Sequence, residues 1–349
     1  MDDGLKTPAY IYPAVSADRK HGLFNPYIND FCKALEPEFE FVNAGKTPSG
    51  GILDIFGYLF GIKAVFFNWI EKLPGNRFGT LQMYLFFFLI ALLRARKIKV
   101  IWTMHNKLSH DKAVSPSTEK IFRFMLKKSD LIITHSSEGR GFADELVPGS
   151  SRKVFFKHHP AKDRRNTLNP PGKEIDVLIW GTISPYKGIE EFLRFLNEHS
   201  PAVPVRLHIT GKAVDKEYFA KLSAYRSEMV TIEDTFLSDE ELRLLIGKSR
   251  LVLFTYSSPS ILSSGALMDT LGYGARVIGP HKGAFADLSR EGVIKTFHTP
   301  EEAVKLISES LKGDSQETDE LLDKFLRENS WTAFANGFFS EYHKRFPDK

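Results

Sequence analysis

The sequence predicts an α/β fold made of two Rossmann-like, doubly wound domains facing a cleft. Three observations carry this. Short apolar runs bounded by turn residues alternate with helix-length amphipathic stretches, the pattern of parallel sheets covered by helices. The alternation breaks once, over His158–Lys173 (HHPAKDRRNTLNPPGK), which has no periodicity and is dense in Pro, Asn and charge. After the break, Leu251 to Pro280 reads as strand, Ser-rich loop, helix and strand, the unit that puts a loop and a helix N-terminus at the carboxyl end of a strand. The expected organisation is a first domain over 1–160, a linker over 161–173, a second domain over 174–328 and a terminal helix over 329–349. At 349 residues and 42% hydrophobic content, the chain can fill two cores.

In order, Tyr10–Val15 reads as a buried strand, followed by a polar loop and a helix that starts at Pro26 and runs to about Leu35. Strands are expected at Glu40–Asn43 and Ala64–Asn68, with a short helix at Leu53–Phe60 between them. A long apolar helix then fills Gly79–Arg96, and Lys99–Thr103 returns as strand, ending in Met104, His105 and Asn106. A helix at Thr118–Lys128, a strand at Leu131–Thr134, a helix at Ser137–Leu146 and a strand at Val154–Lys157 complete the first half.

The second half repeats the plan: strand Asp176–Trp180, loop GTISPYKG, helix Ile189–Asn197, strand Val205–Thr210, helix Lys216–Ser227, strand Val230–Ile232 and helix Asp239–Ile246. Strand Leu251–Phe254 follows, then a helix from Ser263 or Ser264, whose hydroxyls suit an N-cap, then strand Arg276–Ile278. The last helix, Trp331–Arg345, gathers Phe334, Phe338, Phe339 and Tyr342 on one side, which predicts that it covers a core, plausibly that of the first domain.

Composition narrows the function classes. A net charge of +4 and the absence of an aromatic-interleaved basic stripe argue against nucleic-acid binding. The single cysteine, Cys32, rules out an intrachain disulfide and suits a reducing cytoplasm, and no signal peptide is read at the N-terminus. Met83–Leu93 is apolar but, at 11 residues, too short to span a bilayer core that needs about 20. With Arg94, Arg96, Lys97 and Lys99 behind it, the segment reads as a buried helix or as a peripheral contact with an anionic inner-membrane surface.

Two loops carry the candidate chemistry. Gly181–Gly188 follows a strand and opens a helix, with Lys187 placed to meet a phosphate at the helix N-terminus. Ser263, Ser264 and Gly265 open another, and the two together suggest a diphosphate site. Either loop alone also reads as an ordinary βα turn. In the first half, His105 and Asn106 end a strand, Glu71 follows the neighbouring one, and His110 and Asp111 lie in one loop. His158 and His159 are adjacent, point to opposite faces of a strand and cannot chelate one metal, so no metal site and no cofactor are expected.

These residues together resemble a family. Asn25-Pro26-Tyr27 at a helix start, Asn68–Glu71 with Trp-x-Glu, Thr103–Asn106 as Thr-x-His-Asn, the pair His110-Asp111, Pro185–Gly188 and Ser264-Gly265 resemble the retaining, two-domain GT-B glycosyltransferases of family four, of the bacterial polysaccharide-assembly type. The resemblance implies transfer of a hexosyl unit from a nucleoside diphosphate sugar to a saccharide or lipid-linked acceptor, without metal. It implies a donor site of Gly181, Thr182, Lys187, Gly211, Ser263, Ser264, Gly265 and Asp269, the last near the ribose. His105 and Lys187 would be catalytic, and Asn25, Glu71, Asn106, His110 and Asp111 would line the acceptor side. Three positions depart from the pattern: Thr182 replaces a common arginine, Ile261 a glutamate and Arg276 a proline. The first two motivate an alternative, a non-catalytic nucleotide-sugar-binding scaffold; a nucleotide-sugar epimerase is a third class.

Overall fold

Twelve strands form two sheets, each of six parallel strands, in a computed structural model that describes residues 6–14, 26–46, 50–107, 116–165, 172–199, 205–313 and 316–347. The first sheet holds β1 (Thr7–Tyr12), β2 (Phe39–Phe41), β3 (Ala64–Asn68), β4 (Lys99–Met104), β5 (Leu131–Thr134) and β6 (Val154–Phe156), in the order β2-β1-β3-β4-β5-β6. The second holds β7 (Ile175–Trp180), β8 (Leu207–Gly211), β9 (Val230–Asp234), β10 (Ser249–Leu253), β11 (Val277–Pro280) and β12 (Lys295–Phe297), in the order β12-β11-β10-β7-β8-β9. Every strand of β3 and β5 is buried along its length, as expected where helices cover both faces. The α/β class with two Rossmann-like parallel sheets, read from the sequence, is the one observed.

Connections run through α1 (Pro26–Leu35), α2 (Gly79–Ala95), α3 (Pro116–Lys128) and α4 (Glu138–Leu146) in the first half. In the second they run through α5 (Ile189–His199), α6 (Lys216–Ser223), α7 (Asp239–Lys248), α8 (Gly265–Gly272), α9 (Gly283–Arg290), α10 (Pro300–Lys312), α11 (Gln316–Glu328) and α12 (Trp331–Arg345). Several bounds differ from expectation. β1 begins at Thr7 and stops before Pro13, which has no N–H to give a ladder. The segment at Gly51–Tyr58 is a 3-10 helix, and α6 stops at Ser223. Residues 281–313, unassigned in the sequence reading, supply α9, β12 and α10, and α11 follows.

The chain divides into two units, Met1–His158 with Ser260–Ser263 and Trp331–Lys349, and His159–Pro259 with Ser264–Ser330. In the first, α2 and α3 cover one sheet face around Phe67, Phe86 and Trp102, while α1 and α12 cover the other. The aromatic side of α12 finds its partners there: Phe334 lies 5.8 Å from Phe31, Phe338 5.8 Å from Phe66 and Tyr342 5.1 Å from Phe39, ring to ring. At roughly 1.5–3 kcal/mol for each fully buried large side chain, this one helix is a major stabiliser of the unit. The second unit has its own core around Val177, Ile209 and Leu253.

Candidate functional site

In a parallel doubly wound sheet a crevice opens where successive crossovers leave in opposite directions. In the second sheet that point lies between β7 and β10, because β7 continues to β8 on one side while β10 sits on the other. The loops that follow these two strands, 181–188 and 254–259, therefore meet at its mouth. They are stitched together: Ser257 N–H donates to Tyr186 O at 3.2 Å, and Thr255 Oγ1 donates to Lys187 O at 2.7 Å. The fit leaves no room for a side chain at Gly188, which has φ 68° and whose added Cβ would lie 2.2 Å from Thr255 O. Gly211 is similarly constrained, since a Cβ there would meet Gly181 O at 1.9 Å.

Lys187 sits on this seam, only 8% exposed. Its Nζ donates to Tyr256 Oη at 2.5 Å and lies 4.2 Å from the centre of the same ring. Tyr256 Oη is 3.1 Å from Ser264 Oγ, which caps α8 by accepting from Leu267 N–H at 3.2 Å. The Ser264 cap is what the sequence reading expected; its link to Lys187 through Tyr256 is what it missed. An aromatic just after a buried strand reads as core, and Tyr256 is indeed stacked on Phe254 and Tyr186. No carboxylate pairs with Lys187 among the described residues. Burial therefore dominates and pulls its ammonium down to about 8, while burial pushes the Tyr256 phenol up to about 12. A desolvated cation facing a neutral phenol is short of one counter-charge, and an anion arriving at the mouth of the crevice would supply it.

Gly181 adjoins the lysine: a Cβ there would lie 3.7 Å from Lys187 Nζ. Thr182 is exposed, and Ser184 Oγ is buried with no hydrogen-bond partner. Gly265 opens α8 with nothing within 4 Å of where a Cβ would stand. Ser263 belongs to the first unit and Ser264 to the second. Asp269 ion-pairs with Arg164 at 3.2 Å, an arrangement the sequence did not suggest. The run containing Arg164 packs on α8, with Arg164 N–H donating to Gly272 O at 2.7 Å. Of the basic residues that could make up for Thr182, Lys282 donates to Ser257 O at 3.1 Å in the same seam, whereas Lys212 pairs with Asp234 at 3.1 Å.

The first sheet has its own switch point between β1 and β3, and His105 lies one strand away at the end of β4. Its Nε2 is 3.0 Å from Asn68 Oδ1, and Asn68 Nδ2 donates to Tyr12 O at 3.3 Å. With Asn68 Oδ1 as the acceptor, His105 Nε2 is the donor. Trp69, at φ 48° in the left-handed region, stacks flat on His105 at 4.1 Å, and Tyr27 meets it edge-on at 4.8 Å. Tyr27 Oη in turn donates to Nε2 of buried His135, whose Nδ1 donates to Lys157 O. Glu71 follows the neighbouring strand, β3; its Oε2 is buried without a partner, and burial pushes the carboxyl up to about 7. Asn106 forms a bridge with Ile261. Asn25, His110 and Asp111 lie outside the described residues. No group of three or more His, Cys, Asp or Glu able to hold a metal occurs among the described residues.

No family profile and no curated protein matches the chain. Solved structures do. Alr3699/HepE from Anabaena in complex with UDP aligns with TM-score 0.69 at 13% identity, over 97% of this chain and 100% of that one. HepE has also been solved with UDP-glucose. The lipopolysaccharide outer core galactosyltransferase WaaB aligns with TM-score 0.64 at 14% identity, over 96% and 99%. A glycosyltransferase from Rickettsia africae aligns with TM-score 0.67 at 11% identity, over 99% and 100%. The chain shares with them the GT-B architecture of two parallel Rossmann-like sheets.

Proposed function

We propose that this protein is a glycosyltransferase that moves a hexosyl unit from a nucleoside diphosphate sugar to a saccharide or lipid-linked acceptor. The observation that supports this reading best is Lys187: a buried ammonium lacking a carboxylate, at the switch point of the second sheet, beside the start of α8. Cleaving a glycosyl–phosphate bond builds negative charge on the departing diphosphate, and an ammonium and helix amides already in place stabilise it without reorganising. HepE complexes with UDP and with UDP-glucose support a uridine nucleotide as the first donor to try. We read the reaction as retaining, independent of divalent metal, and part of cell-surface polysaccharide or glycolipid synthesis at the cytoplasmic face of a membrane, as in family four. In this reading Asp269 would leave Arg164 to meet the ribose, and His105 with Glu71 and Asn106 would serve the acceptor side.

A screen of sugar nucleotides by thermal shift, followed by an assay for release of nucleoside diphosphate with EDTA present, tests the proposal. Lys187→Ala is expected to abolish the shift and the release. Thr182, where relatives carry an arginine, favours a second reading as a non-catalytic nucleotide-sugar-binding protein. Binding of a donor with no turnover across saccharide and lipid-linked acceptors would decide for that one.

A further inference from the structure

Helix α2 is apolar nearly all the way round, yet only one side of it is inside the protein. Met83, Phe86, Leu89, Ile90 and Leu93 are buried against the sheet and α3. At 100° per residue they span an arc of about 120°. On the opposite side Leu81, Tyr84, Leu85 and Phe88 fall within about 100° of one another, and three of these four are exposed. Phe78, just before the helix, is 68% exposed, Phe88 61% and Phe60 87%. Phe56 stacks on Phe88 at 6.4 Å, joining the 3-10 helix at Gly51–Tyr58 to this outer side. From Phe78 to Arg96 the strip runs about 27 Å at 1.5 Å per residue. A soluble monomer rarely leaves so many large apolar side chains contiguous in water.

Positive charge predominates along the strip's own stretch of chain; Arg94 is paired to Asp130, and Asp54 lies on the 3-10 helix that carries Phe56. Between residues 72 and 107 there are seven Lys or Arg and no Asp or Glu. Cations lie over the aromatic rings: Arg77 is 5.1 Å from the centre of Phe78, Arg96 4.2 Å from Phe60 and Lys120 5.0 Å from Tyr84. No helix of the described residues is long and apolar enough to cross a membrane.

We propose that this outer side of α2, with Phe60, docks on the head-group layer of an anionic bilayer. The Phe and Leu side chains would enter the boundary between head groups and acyl chains, while Arg77, Arg96 and Lys120 would stay with the lipid phosphates. The chemistry favours a lipid surface: an exposed aromatic strip whose rings carry Arg77, Arg96 and Lys120 offers apolar side chains and positive charge together, and an anionic leaflet matches both features. The inference does not depend on the catalytic reading, since it concerns a different face of the first unit.

Sedimentation with phosphatidylcholine vesicles, with and without phosphatidylglycerol, tests it. The protein is expected to pellet with the anionic vesicles and to be released by high salt. Phe78→Ser with Phe88→Ser, and separately Arg77→Glu with Lys120→Glu, should each lower the apparent affinity about tenfold or more. All four positions are on the surface, and thermal unfolding checks the fold of each variant. Oxidative footprinting of the unmodified protein supplies an answer should a variant misfold: Phe78 and Phe88 should be protected by anionic vesicles. A protein that stays in the supernatant, pellets with Phe78 and Phe88 fully labelled, or instead self-associates through these residues in the ultracentrifuge overturns the proposal.

Discussion

Because the Lys187 ammonium is buried against a neutral phenol, its proton is held less tightly than in water, with a midpoint near pH 8. A bound diphosphate favours the charged form. Below pH 8 the lysine is already charged and affinity for a nucleoside diphosphate should be level; above it, binding must take up a proton, and affinity should fall by up to about tenfold per pH unit. Calorimetry in buffers of differing ionisation enthalpy reads that uptake, which Lys187→Ala should eliminate. Glu71 has the opposite sign. Its folded-state carboxyl sits near 7 against an ordinary value of 4.5, so the folded chain keeps a proton that the unfolded chain releases as pH rises between those values. Stability is lost across that window, on the order of 1–3 kcal/mol. Glu71→Gln should therefore raise the unfolding temperature at pH 8 and leave it unchanged at pH 4. Lys187 stood out in the sequence only because its loop and the Ser263–Gly265 loop both follow strands of one sheet; alone, either loop reads as an ordinary βα turn. Tyr256 did not, because nothing in sequence spacing tells a core ring from one whose hydroxyl reaches a buried cation.

At the scale of the element, the junction of the 181–188 and 254–259 loops is set by backbone contact more than by side chains. Gly188→Ala would drive a Cβ into Thr255 O at a positive φ, and should cost about 1–3 kcal/mol of stability while weakening nucleotide binding. Ser264→Ala removes the α8 cap and should cost about 1 kcal/mol, with binding reduced because Tyr256 loses a partner. Denaturant midpoints with and without nucleotide separate the two effects. The start of α8 was readable because hydroxyl caps act locally. The region after residue 280 was not: β12 is three residues long and α9 eight, too few turns for a period to show. α10 did carry its own signal, Thr299-Pro300-Glu301-Glu302, with Thr299 Oγ1 accepting from Glu302 N–H.

For the molecule as a whole, the two sheets were legible from the alternation alone, since parallel strands buried on both faces leave near-continuous apolar runs. Sheet order was not, because crossover handedness fixes how a helix returns and not which neighbour the next strand chooses. A nucleotide that binds only the second unit should reveal this division. Hydrogen exchange with UDP present is expected to slow amides in 181–188, 254–259 and 264–267 and to leave those of Asn68–Glu71 unchanged. Equal protection in both units would contradict a donor site confined to the second.

The placement of α12 has a consequence for synthesis. The strands of the first unit leave the ribosome early, but the helix that closes over Phe31, Phe39 and Phe66 is encoded beyond the entire second unit. At about 5–20 residues per second, translation of the intervening stretch takes on the order of 10–35 s. For that interval the nascent chain carries an open aromatic trough, a target for trigger-type chaperones and for aggregation, which slow codons upstream of Trp331 would prolong.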